Sequence, residues 1–217
     1  SEGGRSMLSE VRQGTRFLRE IAPFRLFLAV RGLLLSVELA MPFFALYAQD
    51  LYGEGAAALA LFVFAVGAAN VVSSPFWGLF ADAEARRVLA VSGLLGAAAA
   101  GLGLAIGGLF PDATAFAFIP VFLLLGLAEA GVRLGRKTYL VDAAPAEERP
   151  LLVAFSNTAI GLLALAFGAL AFVLDAAGAE AMLVLLGALA LGGGALALLL
   201  PDSEDFLAAF DGMLSEA

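Results

Sequence analysis

Apolar residues dominate six stretches of the chain, and short polar connections separate them. A transmembrane helix needs about 20 mostly apolar residues, because each residue adds about 1.5 Å to its length. Each stretch is about that long, and none shows the strict apolar and polar alternation of transmembrane β-strands. We therefore predict an all-α membrane protein whose six transmembrane helices cover residues 24–48, 57–80, 88–110, 116–140, 151–174 and 181–200.

The polar ends flank this bundle, which gives three regions: residues 1–22, 23–200 and 201–217. The first is basic and has apolar residues at helical spacing, so we predict a cytoplasmic helix lying on anionic lipid, or a charged linker ordered by its neighbours. The last is acidic, and Phe206, Phe210 and Met213 follow a helical spacing in it. This tail either docks on the cytoplasmic face or stays mobile.

The composition supports a membrane protein and narrows its chemistry. Of the 217 residues, 62% are hydrophobic and 15% are charged, and the mean hydropathy is +0.96, far from the averages of soluble domains. The chain has no Cys and no His, so metal sites and catalytic arrangements that depend on them cannot be assembled. We expect no metal, no cofactor, no nucleic-acid partner and no enzymatic activity, and we interpret the net charge of −8 mainly as solvated surface.

Lysine and arginine lie on one side of the predicted topology. They occupy the N-terminal segment and the second and fourth connections, whereas the first, third and fifth connections carry only acidic charges. By the positive-inside rule, both termini are cytoplasmic. We expect a multi-pass protein of the inner (plasma) membrane of a bacterium or archaeon, with the lipid bilayer as its surroundings.

Charged residues within the predicted helices follow a period of three. The first helix contains Arg31 and Glu38, seven residues apart and so nearly on one face, and the fourth contains Glu129, Arg133 and Arg136 on a shared face. The third and sixth helices carry no charge, and the polar residues of the second and fifth include Asn70, Ser156 and Asn157. This order predicts an inverted repeat of three plus three helices in which the first helix of each triplet lines a central pathway.

The connection between the second and third predicted helices reads GLFADAEARR, from Gly78 to Arg87. It resembles the signature loop of the major facilitator superfamily, in which a glycine is followed four residues later by an aspartate and then by a basic pair. Gly78, Asp82, Arg86 and Arg87 match that pattern, and Ala85 stands where the family usually has a further glycine. The resemblance implies that Asp82 lies near a helix N-terminus and pairs with basic residues of neighbouring helices, which latches the cytoplasmic side.

A second stretch, GVRLGRKTYLVDAAPAEERPLLVAFSN, resembles the end of the fourth helix and the following loop of the same superfamily. Arg133 or Arg136 would correspond to the family's basic residue in this helix, and Asp142 and Arg149 would be partners in a cytoplasmic charge network. The alternative for Arg136 and Arg149 is that they only set the topology.

The family normally has twelve spans, and the lead-in resembles its central linker, so this chain resembles one half, namely the C-terminal half, as a fragment, as one chain of a split transporter or as a half-size protein that dimerises. The resemblance implies a secondary transporter that works by alternating access of two six-helix halves around a site near mid-membrane. Its partners would be a small solute and a second six-helix half, supplied either by a homodimer or by a complementary chain.

Glu38 and Glu129 lie near the centres of the first and fourth predicted helices. Loss of water disfavours the charged form of a carboxyl group, which suits both residues to proton uptake and release. Arg31 and Arg133 lie on the cytoplasmic side of these carboxyls and could hold an anionic substrate group or neutralise the acids. Structural ion pairs are the alternative, because Glu129 and Arg133 have i,i+4 spacing and Arg31 could serve Glu38.

A function of a different class is a non-transporting membrane subunit or assembly factor that keeps the same half fold. The charges in the first and fourth helices argue against it, because a scaffold does not need them.

Pro42 lies four residues after Glu38 and predicts a kink beside that carboxylate, as a gating hinge or as a packing bend.

Overall fold

The computed structural model describes residues 7–53, 55–110, 112–174 and 178–215, and within these ranges the chain is helical with no strand. A short 3₁₀ helix, Ala115–Phe118, precedes the fifth α-helix. The α-helices in chain order are α1 (Met7–Glu20), α2 (Ala22–Glu38), α3 (Ala40–Tyr52), α4 (Ala56–Leu109), α5 (Ile119–Ala143), α6 (Arg149–Leu174), α7 (Ala179–Ala197) and α8 (Ser203–Ser215). The all-α prediction is confirmed.

Six helical segments of the described residues are long and apolar enough to cross a membrane, and they are numbered here as spans one to six. Their ends lie within about five residues of the predicted ends. The predicted number of spans is therefore confirmed. In order they are Ala22–Tyr52, Ala56–Phe80, Glu84–Leu109, Ala115–Ala143, Arg149–Ala169 and Ala179–Ala197.

Span one is broken beside its carboxylate. It consists of α2 and α3, which meet at Leu39, where φ is −99° and ψ is 0°. Pro42 lies three residues beyond the break; it has no N–H to donate to the carbonyl of Glu38, and its ring crowds that carbonyl. The predicted kink is found, and it leaves Glu38 as the last residue of α2.

Spans two and three are two helices that meet at a kink within α4, with helical backbone on both sides of it. The bend is at Glu84, whose extended backbone has φ −164° and ψ 89°, and the residues on both sides of it stay helical. The connection predicted over residues 81–87 is thus found at this place, and its non-helical part is the kink at Glu84. Three of these residues are alanines and none is Gly or Pro, so the segment favours helix up to the bend.

Two clusters of buried side chains hold the bundle together. One lies at the end where the chain termini pack, and it joins residues such as Phe24 in span one to Phe206 in α8. The other lies towards the opposite end and includes Phe44, Phe62 and Phe122. The rings of Phe62 and Phe122 stack with their centroids 4.1 Å apart, which joins span two to span four.

Two pairs of spans approach closely at glycines. A Cβ placed on Gly126 of span four would lie 2.5 Å from the carbonyl oxygen of Val66 in span two. A Cβ placed on Gly93 of span three would lie 2.6 Å from Cα of Gly194 in span six. Backbones in direct contact are the usual reason for small residues at helix interfaces in membranes.

The two flanking helices, α1 and α8, pack on the bundle and on each other. Phe206 and Phe210 of α8 are fully buried, and the rings of Phe17 and Phe210 lie 5.1 Å apart. Gly14 of α1 lies against the ring of Phe155 in span five. The inner face of α1 thus contacts protein, and the tail helix is docked.

Candidate functional site

A salt bridge joins span one to span four at the break in span one. Arg136 Nη1 lies 3.0 Å from Glu38 Oε1 and 3.3 Å from Oε2. The two side chains are 26% and 22% exposed, so this charge-assisted pair is partly shielded from water. Glu38 therefore pairs with Arg136 of another span, and not with Arg31 of its own helix as the sequence suggested.

Arg31 joins span one to span five. Its side chain is buried, with 8% exposed, and its Nη1 donates to Ser156 Oγ at 2.7 Å while its Nη2 donates to Asn157 Oδ1 at 3.2 Å. Its guanidinium also lies 5.9 Å from the ring centroid of Phe27, within the range of a cation–π contact. These partners are neutral, so they accept hydrogen bonds from Arg31 without neutralising its charge.

A third polar group joins span two to span four. Arg133 Nη2 lies 2.7 Å from Glu129 Oε1, the i,i+4 ion pair that the spacing predicted. Asn70 of span two contacts both residues at 3.4 Å, donating through Nδ2 to Glu129 Oε2 and accepting from Arg133 through Oδ1. The side chains of Arg133 and Glu129 are 47% and 29% exposed, so this group is the open part of the site.

These three groups form one cluster that spans one, two, four and five supply. Residues 129, 133 and 136 are spaced i, i+4, i+7 and so share a face of α5, and Arg31 is near enough to Glu38 and Arg136 to interact electrostatically with both. Three arginines and two glutamates carry charge here, which leaves a net charge of 3 − 2 = +1. A half-exposed guanidinium in a net positive cluster can bind an anionic group of a solute.

The basic pair of the signature stretch lies at the bend of α4. Glu84 accepts from both members of the pair, because its oxygens lie 2.6 Å from Arg86 Nε and 2.6 Å from Arg87 Nε. Arg86 also contacts the chain just after span six, at 3.0 Å from Asp202 and 3.2 Å from the carbonyl oxygen of Leu200. The acid that the sequence missed is therefore Glu84, which ties the bend to the end of span six.

The other predicted gate residues lie apart from this contact. Asp82 lies in α4, but its side chain lies outside the described residues, and a Cβ on Gly78 would meet nothing within 4 Å. Asp142 is exposed at the end of α5, and Arg149 donates to the carbonyl of Ala144 at 3.2 Å. The expected network of Arg136, Asp142 and Arg149 is not formed in the described part of the chain. Arg136 pairs with Glu38 instead, and Arg149 donates to a carbonyl of the connection that precedes it.

Six membrane-length helices, four of which supply a charged and partly open cluster, define a class of protein: a multi-pass membrane protein with a polar site between its spans. The family model of the Major Facilitator Superfamily matches residues 26–212. The chain therefore belongs to that superfamily, a family of transporters that are generally not enzymes, and its six spans are consistent with half of the superfamily's fold. No curated protein and no solved structure matches the chain.

Proposed function

We propose that this chain is one half of a secondary transporter that moves a small anionic solute by alternating access, with proton coupling through Glu38 and Glu129. The observation that carries the proposal is the net positive cluster, whose open side presents Arg133 at 47% exposure. A charge near mid-membrane costs a few kcal/mol unless it faces a cavity or a partner. In a chain that belongs to a transporter family, a solute that binds this charge is the best explanation for it.

The contacts between spans support the proposed inverted repeat. When spans one to three are superposed on spans four to six, a contact between spans one and five becomes a contact between spans four and two. Arg31 with Ser156 is of the first kind, and Glu129 with Asn70 is of the second. The Glu38–Arg136 pair joins spans one and four, which exchange places in this superposition.

The connections that carry arginine should face the cytoplasm by the positive-inside rule. The proposed orientation therefore places both termini in the cytoplasm. The contact of Arg86 with Asp202 would close this side in the state described, and it would have to open when the solute is released inward. The proposed location is the inner membrane of a bacterium or archaeon.

The proposed proton coupling follows from the two ion pairs. A proton that binds Glu129 removes the charge that holds Arg133 at 2.7 Å, which frees the guanidinium to bind an anion. A proton that binds Glu38 removes the bond between spans one and four in the same way. Proton and anion would then enter together.

The proposal also requires a second six-helix half. Only 17% of an 18-residue stretch of span five is buried, and Asn157, a partner of Arg31, lies on its exposed surface. Polar groups that face lipid are costly, so a second bundle is the expected cover for this side. A homodimer or a complementary six-span chain would both complete the pathway.

The native mass of the detergent-solubilised particle, with each chain identified, tests the assembly. We expect two six-span halves in each particle. A single copy per particle contradicts transport by this particle and points to a fragment, and a large assembly with unrelated membrane subunits would instead assign the chain to the non-transporting subunits.

The coupling is tested in liposomes that contain this particle and a trapped pH-sensitive dye, to which a panel of small organic anions is added. The wild type should acidify the lumen with at least one anion, whereas Glu38→Gln and Glu129→Gln should lose that signal at unchanged particle mass. Glu147→Gln, at an exposed position of the fourth connection, is the matched control and should behave as the wild type. Acidification by both cluster variants would exclude these carboxyls from coupling.

A further inference from the structure

An open apolar groove of about 410 Å³ runs along the surface between span three and span six. Its walls are aliphatic side chains that are each more than half exposed: Leu94 at 58%, Leu191 at 52% and Leu198 at 57%. Small residues, including Ala195, line it between these walls. The groove lies on the two spans that contribute no residue to the polar cluster.

The close contact of the two helices explains the groove. A Cβ on Gly93 would lie 2.5 Å from the carbonyl oxygen of Ala190, so the backbones touch and the large side chains must lie to either side. Leu191 and Leu198 are seven residues apart, which corresponds to about 10 Å along the helix axis. A groove of this length and composition fits part of a lipid acyl chain.

One charged side chain, Arg87, is among the described residues that line the groove, and it lies near the start of span three. Its side chain is 73% exposed. Its Nε contacts Glu84 at 2.6 Å, but Glu84 also contacts Arg86, so one carboxylate is shared by two guanidinium groups. Because Arg87 is at the end of a span, it lies at the depth of the lipid headgroups whichever way the protein is oriented.

We propose that this groove binds one phospholipid, with an acyl chain along Leu94, Leu191 and Leu198 and the phosphate on Arg87. A guanidinium matches the geometry and charge of a phosphate, and the aliphatic walls match the chain. A second copy of this protein docked by the same face would bring two Arg87 side chains together, and like charges oppose that contact. The bound lipid braces span three against span six beside the bend at Glu84.

Native mass spectrometry of the detergent-solubilised protein tests this site, with dioleoylphosphatidylglycerol as the probe and dioleoylglycerol, which lacks the phosphate, as its comparison. The wild type should hold one phosphatidylglycerol and bind dioleoylglycerol more weakly. Arg87→Gln should weaken phosphatidylglycerol binding about fivefold, which corresponds to about 1 kcal/mol for one arginine at a membrane surface. Ala195→Trp should fill the groove and abolish the bound lipid.

Lys137→Gln and Ala105→Trp are the matched controls, because both residues are exposed and neither lines the groove. Both controls should bind lipid as the wild type does. Wild-type lipid binding by both Arg87→Gln and Ala195→Trp overturns the proposal, as does equal binding of the two probes. Loss of a dimer in Ala195→Trp at unchanged lipid binding would assign the groove to a second copy. Ala195→Leu is measured in the same way if the tryptophan variant does not fold.

Discussion

The contact between spans two and four at Gly126 makes a quantitative prediction about packing. A Cβ at Gly126 would lie 2.5 Å from the carbonyl oxygen of Val66 and 2.7 Å from Cβ of Ala69, although such atoms do not approach within 3.0 Å. In Gly126→Ala the two spans must therefore separate by at least 3.0 − 2.5, or about 0.5 Å. Overpacking of this kind costs about 1–3 kcal/mol.

Gly67→Ala is the matched control on the helix that Gly126 touches. A Cβ at Gly67 would meet no atom within 4 Å, so the control keeps the gain of up to about 1 kcal/mol that alanine brings to a helix interior. Gly126→Ala has the same gain but also carries the packing cost. We therefore expect the free energy of unfolding of Gly126→Ala to lie about 1–3 kcal/mol below that of Gly67→Ala.

Trp77 reports on the same contact. It is the one tryptophan of the chain, it is 4% exposed, and its Nε1–H donates to the carbonyl oxygen of Leu127 at 3.0 Å. Separation of spans two and four should loosen this hydrogen bond and shift the fluorescence emission to longer wavelength. Equal unfolding curves in sodium dodecyl sulfate titrations for the Gly126 and Gly67 variants, with unchanged Trp77 emission in both, would refute the reasoning.

Three more outcomes concern contacts elsewhere in the chain. Phe210→Ala removes a buried ring 5.1 Å from that of Phe17, which should weaken the docking of α8 by about 3 kcal/mol or more. A helix as short as α8 is not stable in water without such packing. A glutamate-specific protease should then cut α8, whereas it should leave the exposed-site control Ala208→Ser intact; resistance of both variants contradicts this. Glu84→Gln removes the negative charge that two arginines share, so the thermal unfolding midpoint should fall at low salt. The deficit should shrink near 1 M salt, where the screening length is about 3 Å, and a deficit that is independent of salt would exclude an electrostatic cause. Pro42→Ala restores an N–H within span one, so amide hydrogen exchange at residues 39–42 should slow; unchanged exchange would mean that packing alone holds the break.

The sequence predicts those features of the fold that depend on neighbouring residues. The spans follow from hydropathy and length, and the break at Leu39 follows from Pro42, which acts on the carbonyl four residues before it. The bend at Glu84 was not predictable, because ADAEARR is polar enough for a loop and rich enough in alanine for a helix. The carbonyl of Leu200 and the carboxylate of Asp202, both distant in sequence, stabilise the bent form through Arg86.

The same distinction holds within the site. The Glu129–Arg133 pair could be predicted because both residues lie on one helix at i,i+4 spacing. Helical spacing also suggested Arg31 as the partner of Glu38, but the packing of spans one, four and five decides otherwise. Ser156 was visible as a polar residue in an apolar stretch, yet only the tertiary fold shows that it accepts a hydrogen bond from Arg31.

The two ion pairs therefore differ in what a conformational change can do to them. Glu129 and Arg133 belong to one rigid helix, so their pairing survives any motion of the spans and responds only to protonation or to a competing anion. Glu38 and Arg136 belong to different spans, and Glu38 lies at the end of α2, where span one is already broken. Within the proposed transport cycle, Glu129 is thus suited to set the affinity for the solute, and Glu38 is suited to set which way the site opens.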